Sequence, residues 1–231
     1  MKIRTHSREY KYIYFLATLY MSLMTCSAVL GNKLIETSFG IVSAASLVSP
    51  FWFVLGDIIT EVYGLKMIMR LFWSVIICQF IFAFVCLFLI NLKSPVIWSG
   101  QGGYDLVLGH LVRIAAFQFV GISIAWNLNA RLLVRWKILM CGRYFWLRSI
   151  GSSGIGLVIF SLVSVFPAVY GLFPLKIVIS LVTWSCVLKL IFTVLLALPS
   201  TIAVIFLKNA EHLDDRSQEF EFNPLMHAEV I

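Results

Sequence analysis

The chain has 231 residues, of which 61% are hydrophobic and only 13% are charged. Soluble domains carry about 25% charged residues, so this chain has too little polar surface to cover a water-exposed globule. Its net charge of +7 would suggest nucleic acid in a soluble protein, but the basic residues cluster between apolar stretches, as membrane topology predicts. The composition excludes a soluble enzyme and argues for no nucleic acid among the partners.

Six stretches contain the roughly 20 mostly apolar residues that a membrane-spanning helix needs. The first follows a basic N-terminus and exceeds the roughly 7–15 apolar residues of a signal peptide, so we expect it to be retained. The fold class predicted is all-α: a polytopic membrane protein with six transmembrane helices. The predicted spans are 12–31, 40–60, 67–90, 108–133, 149–171 and 175–207.

The remainder of the chain divides into short connections and a polar end. From Lys208 the sequence becomes polar and acidic, a composition typical of a solvated, partly disordered tail. We therefore expect a transmembrane domain at 1–207 and a cytoplasmic tail at 208–231. The five cysteines include no CxxC pair and fall mostly in apolar spans, so we interpret them as packing residues, with no disulfide and no metal site.

Lysine and arginine are distributed unequally between the two sides of the predicted membrane. The N-terminus, the second and fourth connections and the tail hold thirteen of them, whereas the opposite side holds three. Under the positive-inside rule, this asymmetry predicts that both termini are cytoplasmic. Six spans arranged three plus three also allow an inverted repeat, a plan common in secondary transporters. Pro50 in the second span and Gly151, Gly154, Gly156 and Pro167 in the fifth agree with it.

Charged residues inside the predicted spans are the main candidates for a functional site. Asp57 and Glu61 are four residues apart and share one helix face, while Lys189 lies near the middle of the sixth span. Arg113 lies one turn inside the fourth span, where it could extend to the headgroups. A charge at the bilayer centre costs at least about 2.5–3.5 kcal/mol. Two interpretations stay open: a purely structural pair such as Asp57–Lys189, or a polar pocket that binds a substrate or carries a proton.

The second span also contains a proline followed by aromatic residues. Pro50 frees a backbone carbonyl and kinks a helix, and Phe51, Trp52 and Phe53 follow it. Aromatic rings beside a carboxylate would suit a flat ligand that forms hydrogen bonds, although lipid-facing rings are an equal alternative. The sequence contains no HExxH, GxSxG or Walker-type loop. We therefore expect no catalytic residues and no cofactor.

The segment Ser49–Gly64, which reads SPFWFVLGDIITEVYG, resembles the signature of the queuosine precursor transporter family. This family is also called the vitamin uptake transporter or YhhQ-like family, and its pattern places a proline and then Asp-x-x-x-Glu-Val-Tyr-Gly at the end of an early helix. The resemblance covers nearly the whole chain. Further matches are Asn32-Lys33, Trp146-Leu147-Arg148, Ser152-Ser153, Lys189 and Pro199.

The resemblance implies a bacterial inner-membrane importer of 7-deazaguanine bases, the cyano and aminomethyl precursors of the tRNA nucleoside queuosine, or of queuine. A carboxylate could accept the adjacent N–H donors of a guanine-like base, and a ring such as Trp52 or Tyr63 could stack on it. The family tends to carry Gln and Asp in helices four and five, where this chain reads SIAWN at 123–127 and GLVIF at 156–160. The substrate-binding residues implied are Asp57, Glu61, Lys189, Trp52, Tyr63, Asn32, Arg113 and Arg148.

Two other functions agree with the same sequence. One is a vitamin-binding subunit that works with an ATP-energised complex, although helix one has no clean Ala-x-x-x-Ala docking motif. The other is a membrane scaffold that transports nothing and uses Asp57 and Lys189 only as a structural pair.

Overall fold

The computed structural model describes residues 10–38, 40–171 and 174–211. Almost all of these residues are helical, and a small antiparallel hairpin connects the first two spans. The strands of that hairpin are β1 (Leu34–Thr37) and β2 (Gly40–Ser43). The helices are α1 (Ile13–Val29), α2 (Ala45–Tyr63), α3 (Leu65–Ile90), α4 (Gln101–Leu108), α5 (Leu111–Leu139), α6 (Phe145–Phe160), α7 (Phe166–Val169) and α8 (Leu175–Ala210).

Six membrane spans can be recognised in this order of elements. Among the described residues, five segments are long and apolar enough to cross a bilayer: the single helices α2, α3 and α8, and the continuous segments Gln101–Leu139 and Phe145–Val169; α1 is a shorter apolar helix. A π-helical turn at Ser161–Val165 joins α6 to α7 within one of these spans. The predicted fold class, an all-α polytopic membrane protein, is confirmed.

The start of the second span differs from the sequence expectation. Residues 40–44 were predicted to begin the second span, but Ile41 and Val42 instead pair with β1, so that Val42 lies opposite Ile35. β-branched side chains favour such a pairing, and α2 accordingly begins at Ala45. The longer connection between the third and fourth predicted spans, residues 91–107, contains most of the short helix α4.

Helix α3 exposes mainly apolar side chains, as expected of a helix that contacts lipid. One face exposes large apolar side chains at helical spacing, and the opposite face packs against the bundle. Gln79 on the packed face donates from Nε2 to Thr25 Oγ1 at 2.9 Å, which connects α3 to α1. The apolar side chains exposed on α3 include Trp73, Ile77, Ile81, Phe84 and Phe88.

Helix α2 is the central helix of the bundle. Fifteen of its nineteen residues are buried, including Asp57 and Glu61. A helix in this position is surrounded by protein on all sides, which explains how it can hold two carboxylates at membrane depth. The functional site is therefore built around α2.

The last helix, α8, continues to Ala210, three residues beyond the boundary drawn from polarity. The rest of the predicted tail, residues 212–231, lies outside the described residues, as do residues 1–9. The cytoplasmic location of both termini and the inverted repeat stay predictions.

Candidate functional site

Helix α2 arranges polar and aromatic side chains in successive levels along the bundle. Ser49, Phe53, Asp57 and Glu61 recur every four residues, and four residues of helix rise about 6 Å. They therefore follow one another along one side of α2, from the end that carries the hairpin to the opposite end. Each of the three polar positions has a different environment.

The first level is a partly enclosed cavity at the hairpin end of the bundle. It is a space of about 560 Å³, part of which is open to solvent, and its walls include the first turns of α2 and the end of α7. Serine hydroxyls and one lysine supply most of its polar groups. The polar lining residues include Ser27, Ser46, Ser49, Gln118, Ser164 and Lys189.

Lys189 contributes the cavity's positive charge. It lies in the middle of α8 and is only 2% exposed. Its Nζ donates to Ser161 Oγ at 3.1 Å and lies 5.1 Å from the centroid of the Phe160 ring, a cation–π distance. Ser161 begins the π-helical turn, and such turns are frequent at functional sites. Among the described residues, Ser161 is the only hydrogen-bond acceptor for this ammonium group.

The cavity wall formed by α2 offers further unpaired polar atoms. Ser49 is 1% exposed, and its hydroxyl has no hydrogen-bond partner among the described residues. Pro50 has no N–H, so the helix lacks the usual bond to the carbonyl of Ser46, which also lines the cavity. Buried polar groups usually have partners, so these atoms indicate a place where water or a ligand binds.

A layer of aromatic rings separates the cavity from Asp57. The Trp52 ring lies 4.2 Å from that of Phe53 and 5.7 Å from that of Phe160, centroid to centroid. Tyr20 of α1 contacts Trp52 edge-on at 6.3 Å. Phe160 also lines the cavity. The predicted aromatic residue Trp52 packs against Phe160 without lining the cavity itself, and it is only 1% exposed, so it does not face lipid.

The second level is the carboxylate of Asp57 with its hydrogen-bond donors, here called the Asp57 network. Asn129 of α5 donates from Nδ2 to Oδ1 at 2.7 Å. On α6, Ser149 and Ser153 donate to Oδ2 at 2.6 and 2.5 Å. All four residues are at most 1% exposed. Within the described part of the chain, the Asp57 carboxylate thus accepts from three neutral donors and forms no ion pair.

The third level is an ionic cluster around Glu61, here called the Glu61 cluster. Arg148 donates from Nη1 to Oε2 at 3.0 Å and from Nη2 to Oε1 at 3.3 Å. Lys137 Nζ lies 3.1 Å and Lys208 Nζ 3.4 Å from Oε1. The three cations come from α5, α6 and α8, so one carboxylate of α2 connects three other helices at the end opposite the hairpin.

The structure separates several residues that the sequence grouped together. Asp57 and Lys189 form no ion pair within the described part of the chain, because Asp57 binds Asn129 and two serines while Lys189 binds Ser161. The suggested structural pair Asp57–Lys189 is therefore wrong. The aromatic layer lies between them.

The remaining candidates lie at the two ends of the bundle. Tyr63 donates its hydroxyl to Glu211 Oε1 at 3.0 Å, and Arg113 donates to the carbonyls of Pro167 and Tyr170 at the end of α7. Neither lines the cavity. Asn32 ends the short turn after α1, but its side chain lies outside the described residues.

A family model described as "Putative vitamin uptake transporter" matches residues 43–204, which is most of the chain. The chain belongs to the vitamin uptake transporter family. The match begins at the last residue of β2 and ends in α8, so it includes the cavity residue Lys189, Asp57 and Glu61. Comparison with curated proteins and with solved structures found no match.

Several residues of this transporter's site were not selected from the sequence. Asn129 and Ser149 were not singled out, and Ser153 was noted as a family match without a role in the site, yet all three donate to Asp57. Asn127, which lies within the stretch 123–127, donates instead to the carbonyl of Ser123 in its own helix. The spacing of Ser149 and Ser153, one helical turn apart, was a usable signal. In the sequence, Lys137 and Lys208 were used only for the positive-inside count. Their contact with Glu61 depends on how α5 and α8 pack against α2, which the sequence does not reveal.

Proposed function

We propose that this transporter imports queuosine precursors, the 7-deazaguanine bases, across the bacterial inner membrane. The observation that supports the proposal is the cavity at the hairpin end, which combines the buried ammonium of Lys189, the unpaired hydroxyl of Ser49 and the aromatic ring of Phe160. Small-molecule sites are mostly apolar and contain a few convergent polar groups. A flat base with polar edges matches that combination.

The base would first meet Lys189 and Ser49 in the cavity and rest against Phe160, whose ring packs on Trp52. Rings of this kind stack on planar ligands. Asp57 lies about two helical turns beyond Ser49, and its oxygens already accept three hydrogen bonds. It could accept the N–H donors of a guanine-like edge only after Ser149 or Ser153 turns its hydroxyl away. We therefore assign first contact to Lys189 and a later contact to Asp57.

The Glu61 cluster would act as the cytoplasmic gate. The charge asymmetry of the sequence predicts that the end of α2 near Tyr63 is cytoplasmic, and the cluster joins α2 to three helices there. Alternating access requires one end of the site to close while the other opens. Release into the cytoplasm would therefore require that Arg148 and the two lysines separate from Glu61.

The proposal is tested by measuring queuosine in tRNA from cells that cannot synthesise its precursors and are supplied with a trace of them. Cells expressing the wild-type protein should recover queuosine, whereas cells expressing Asp57→Asn should not. Asp105→Asn, which alters an exposed carboxylate on α4, serves as the matched control and should behave as wild type. Each protein is quantified in the membrane.

Failure of well-expressed wild type to restore queuosine would overturn the proposed substrate and leave a vitamin uptake transporter for another ligand. Recovery that disappears when an ATPase of the host is removed would indicate the subunit of an energised complex. Recovery with Asp57→Asn equal to wild type would remove Asp57 from the mechanism.

A further inference from the structure

We infer that the cavity selects its ligand by charge: it takes a neutral, acceptor-bearing base and rejects a cationic one. This inference rests on the proposed function and narrows its substrate. Among the precursors, the 7-cyano base would be carried in preference to the 7-aminomethyl base. The juxtaposition of Lys189, Ser161 and the unpaired Ser49 carries the inference.

The charge balance of the cavity is the first argument. Among the described residues that line the cavity, Lys189 is the only charged side chain and none is a carboxylate. Asp57 lies behind Trp52 and Phe53 and is bonded to three neutral donors. Glu61 lies farther away and is surrounded by three cations. Neither carboxylate is placed to neutralise a second positive charge beside Lys189.

The hydrogen-bonding character of the cavity is the second argument. An ammonium has three donors and no acceptor, and Lys189 uses one donor on Ser161. The Phe160 ring is 5.1 Å from Nζ and offers only its π face. The Ser49 hydroxyl is buried and without a partner in the described part of the protein. Lys189 and Ser49 therefore have hydrogen-bond donors that are not used, and a ligand with hydrogen-bond acceptors would pair with them.

The two bases differ in the 7-substituent, which lies on the edge of the base that would contact Lys189. In the 7-cyano base, the ring keto oxygen and the nitrile nitrogen are neighbouring acceptors on one edge. In the 7-aminomethyl base, an alkyl amine replaces the nitrile. Alkyl amines such as that of lysine have a pKa of about 10.4, so this group is an ammonium at neutral pH. It would place like charges together in a buried site, which disfavours binding strongly.

The experiment measures uptake of the two radiolabelled bases into liposomes that contain the purified full-length protein. Wild type should prefer the cyano base by at least about tenfold, as expected for a like charge placed in a desolvated site. Lys189→Gln, which keeps a donor but removes the charge, should bring the two rates within about threefold of each other. Lys176→Gln alters an exposed lysine of the same helix and should keep the wild-type ratio.

A ligand-side comparison makes the test independent of how well the Lys189 variant folds. The 7-hydroxymethyl base is neutral and nearly the same size as the aminomethyl base. It should compete with cyano-base uptake by wild-type protein at least about tenfold better than the aminomethyl base does. Equal competition would overturn the inference, because size and shape are matched and only the charge differs.

The outcomes distinguish this inference from the function on which it rests. Transport of both bases at equal rates by wild type, or a preference for the cyano base that persists in Lys189→Gln, would overturn charge selection and leave the importer intact. A wild-type protein that is folded but moves neither base, nor the hydroxymethyl analogue, would overturn the proposed function itself.

Discussion

Glu61 and Arg148 face each other in a buried, two-pronged ion pair, with N–O distances of 3.0 and 3.3 Å. The two residues are 87 positions apart in the chain, and Arg148 is 0% exposed. Arg148 also donates from Nε to the carbonyl of Arg143 at 3.1 Å. Bidentate pairs of this kind fix geometry as well as charge, so Arg148 holds the start of α6 against the end of α2.

Arg148→Gln should therefore destabilise the protein far more than Lys208→Gln. Breaking a buried pair costs about 3–5 kcal/mol, whereas an ion pair near the surface contributes about 0–1 kcal/mol. Lys208 lies 3.4 Å from the same carboxylate but is 17% exposed, so it is the matched control. The free energy of unfolding, measured by denaturant titration in mixed micelles, checks the difference. An equal loss in the free energy of unfolding for the two variants would show that the pair with Arg148 contributes no more to stability than the pair with Lys208.

Glu61→Gln should loosen the end of the bundle opposite the hairpin. The substitution leaves Lys137, Arg148 and Lys208 close together without their shared carboxylate, and like charges in a buried site repel. Leu133, whose carbonyl accepts from Arg148 at 3.5 Å and whose side chain is fully buried, reports on this region. In a cysteine-free background, Leu133→Cys should react with a maleimide faster when Glu61→Gln is also present.

The control for this measurement is a cysteine at a position that is already exposed, such as Tyr144 in the loop before α6. Its reaction rate should be the same with and without Glu61→Gln. If Leu133→Cys reacts at one rate in both backgrounds, the cluster does not close this end of the bundle.

The sequence was sufficient to predict the spans because each depends on local composition. A helix in lipid must satisfy its own backbone hydrogen bonds, so length and hydropathy alone located the spans to within a few residues, apart from the start of α2 and the end of α5, which continues past residue 133 to Leu139. The hairpin was missed because Gly40–Ser43 is as apolar as a helix end. Its pairing with Leu34–Thr37 follows from β-branched residues at Ile41 and Val42.

The candidate site was predicted only in part, because its partners come from different helices. The motif around Asp57 and Glu61 located both carboxylates, and the cost of burying charge indicated Lys189. The sequence could not predict which cation pairs with which carboxylate. Glu61 binds Arg148, and Lys189 binds Ser161, because the π-helical turn and the packing of α6 against α8 set those distances.

Gly121→Ala should disrupt the contact between α5 and the π-helical turn. A Cβ at Gly121 would lie 2.9 Å from the Cβ and 3.0 Å from the backbone nitrogen of Ser164, so the turn itself would have to move. We expect a loss of about 1–3 kcal/mol in the free energy of unfolding, as for other overpacked sites. Uptake should also fall, because Ser164 lines the cavity and the same turn carries Ser161.

Gly154→Ala provides the comparison for this prediction. Its added Cβ would meet only Leu190 Cδ2 at 3.4 Å, an ordinary van der Waals contact, and alanine favours the helix more than glycine does. This variant should be as stable as wild type or more so. Adding Ser164→Ala to Gly121→Ala should not restore stability, because the backbone nitrogen of Ser164 remains at 3.0 Å.

Glu211 should give the protein a pH-dependent increment of stability. It follows α8 and accepts hydrogen bonds from the backbone N–H groups of Lys11 and Tyr12, at 3.1 and 3.0 Å, and from the hydroxyl of Tyr63. Burial alone would raise the pKa of Glu211, but these donors favour the carboxylate and hold its pKa below the ordinary value of 4.5. The carboxylate thereby lies beside the N-terminus of α1, where a negative charge is favourable.

Because the folded-state pKa is lowered, this stabilisation is fully present above the unfolded-state pKa and is lost as pH falls through the folded one. Glu211→Gln should therefore be less stable than wild type at about pH 6, and the difference should shrink as the pH is lowered below about 4.5. Glu36→Gln, which alters an exposed carboxylate of β1, should show no such change. Unfolding of the three proteins across this pH range checks the prediction. A difference between wild type and Glu211→Gln that stays constant, or grows toward acid, would mean that the carboxylate charge does not stabilise the contact between α1 and α8.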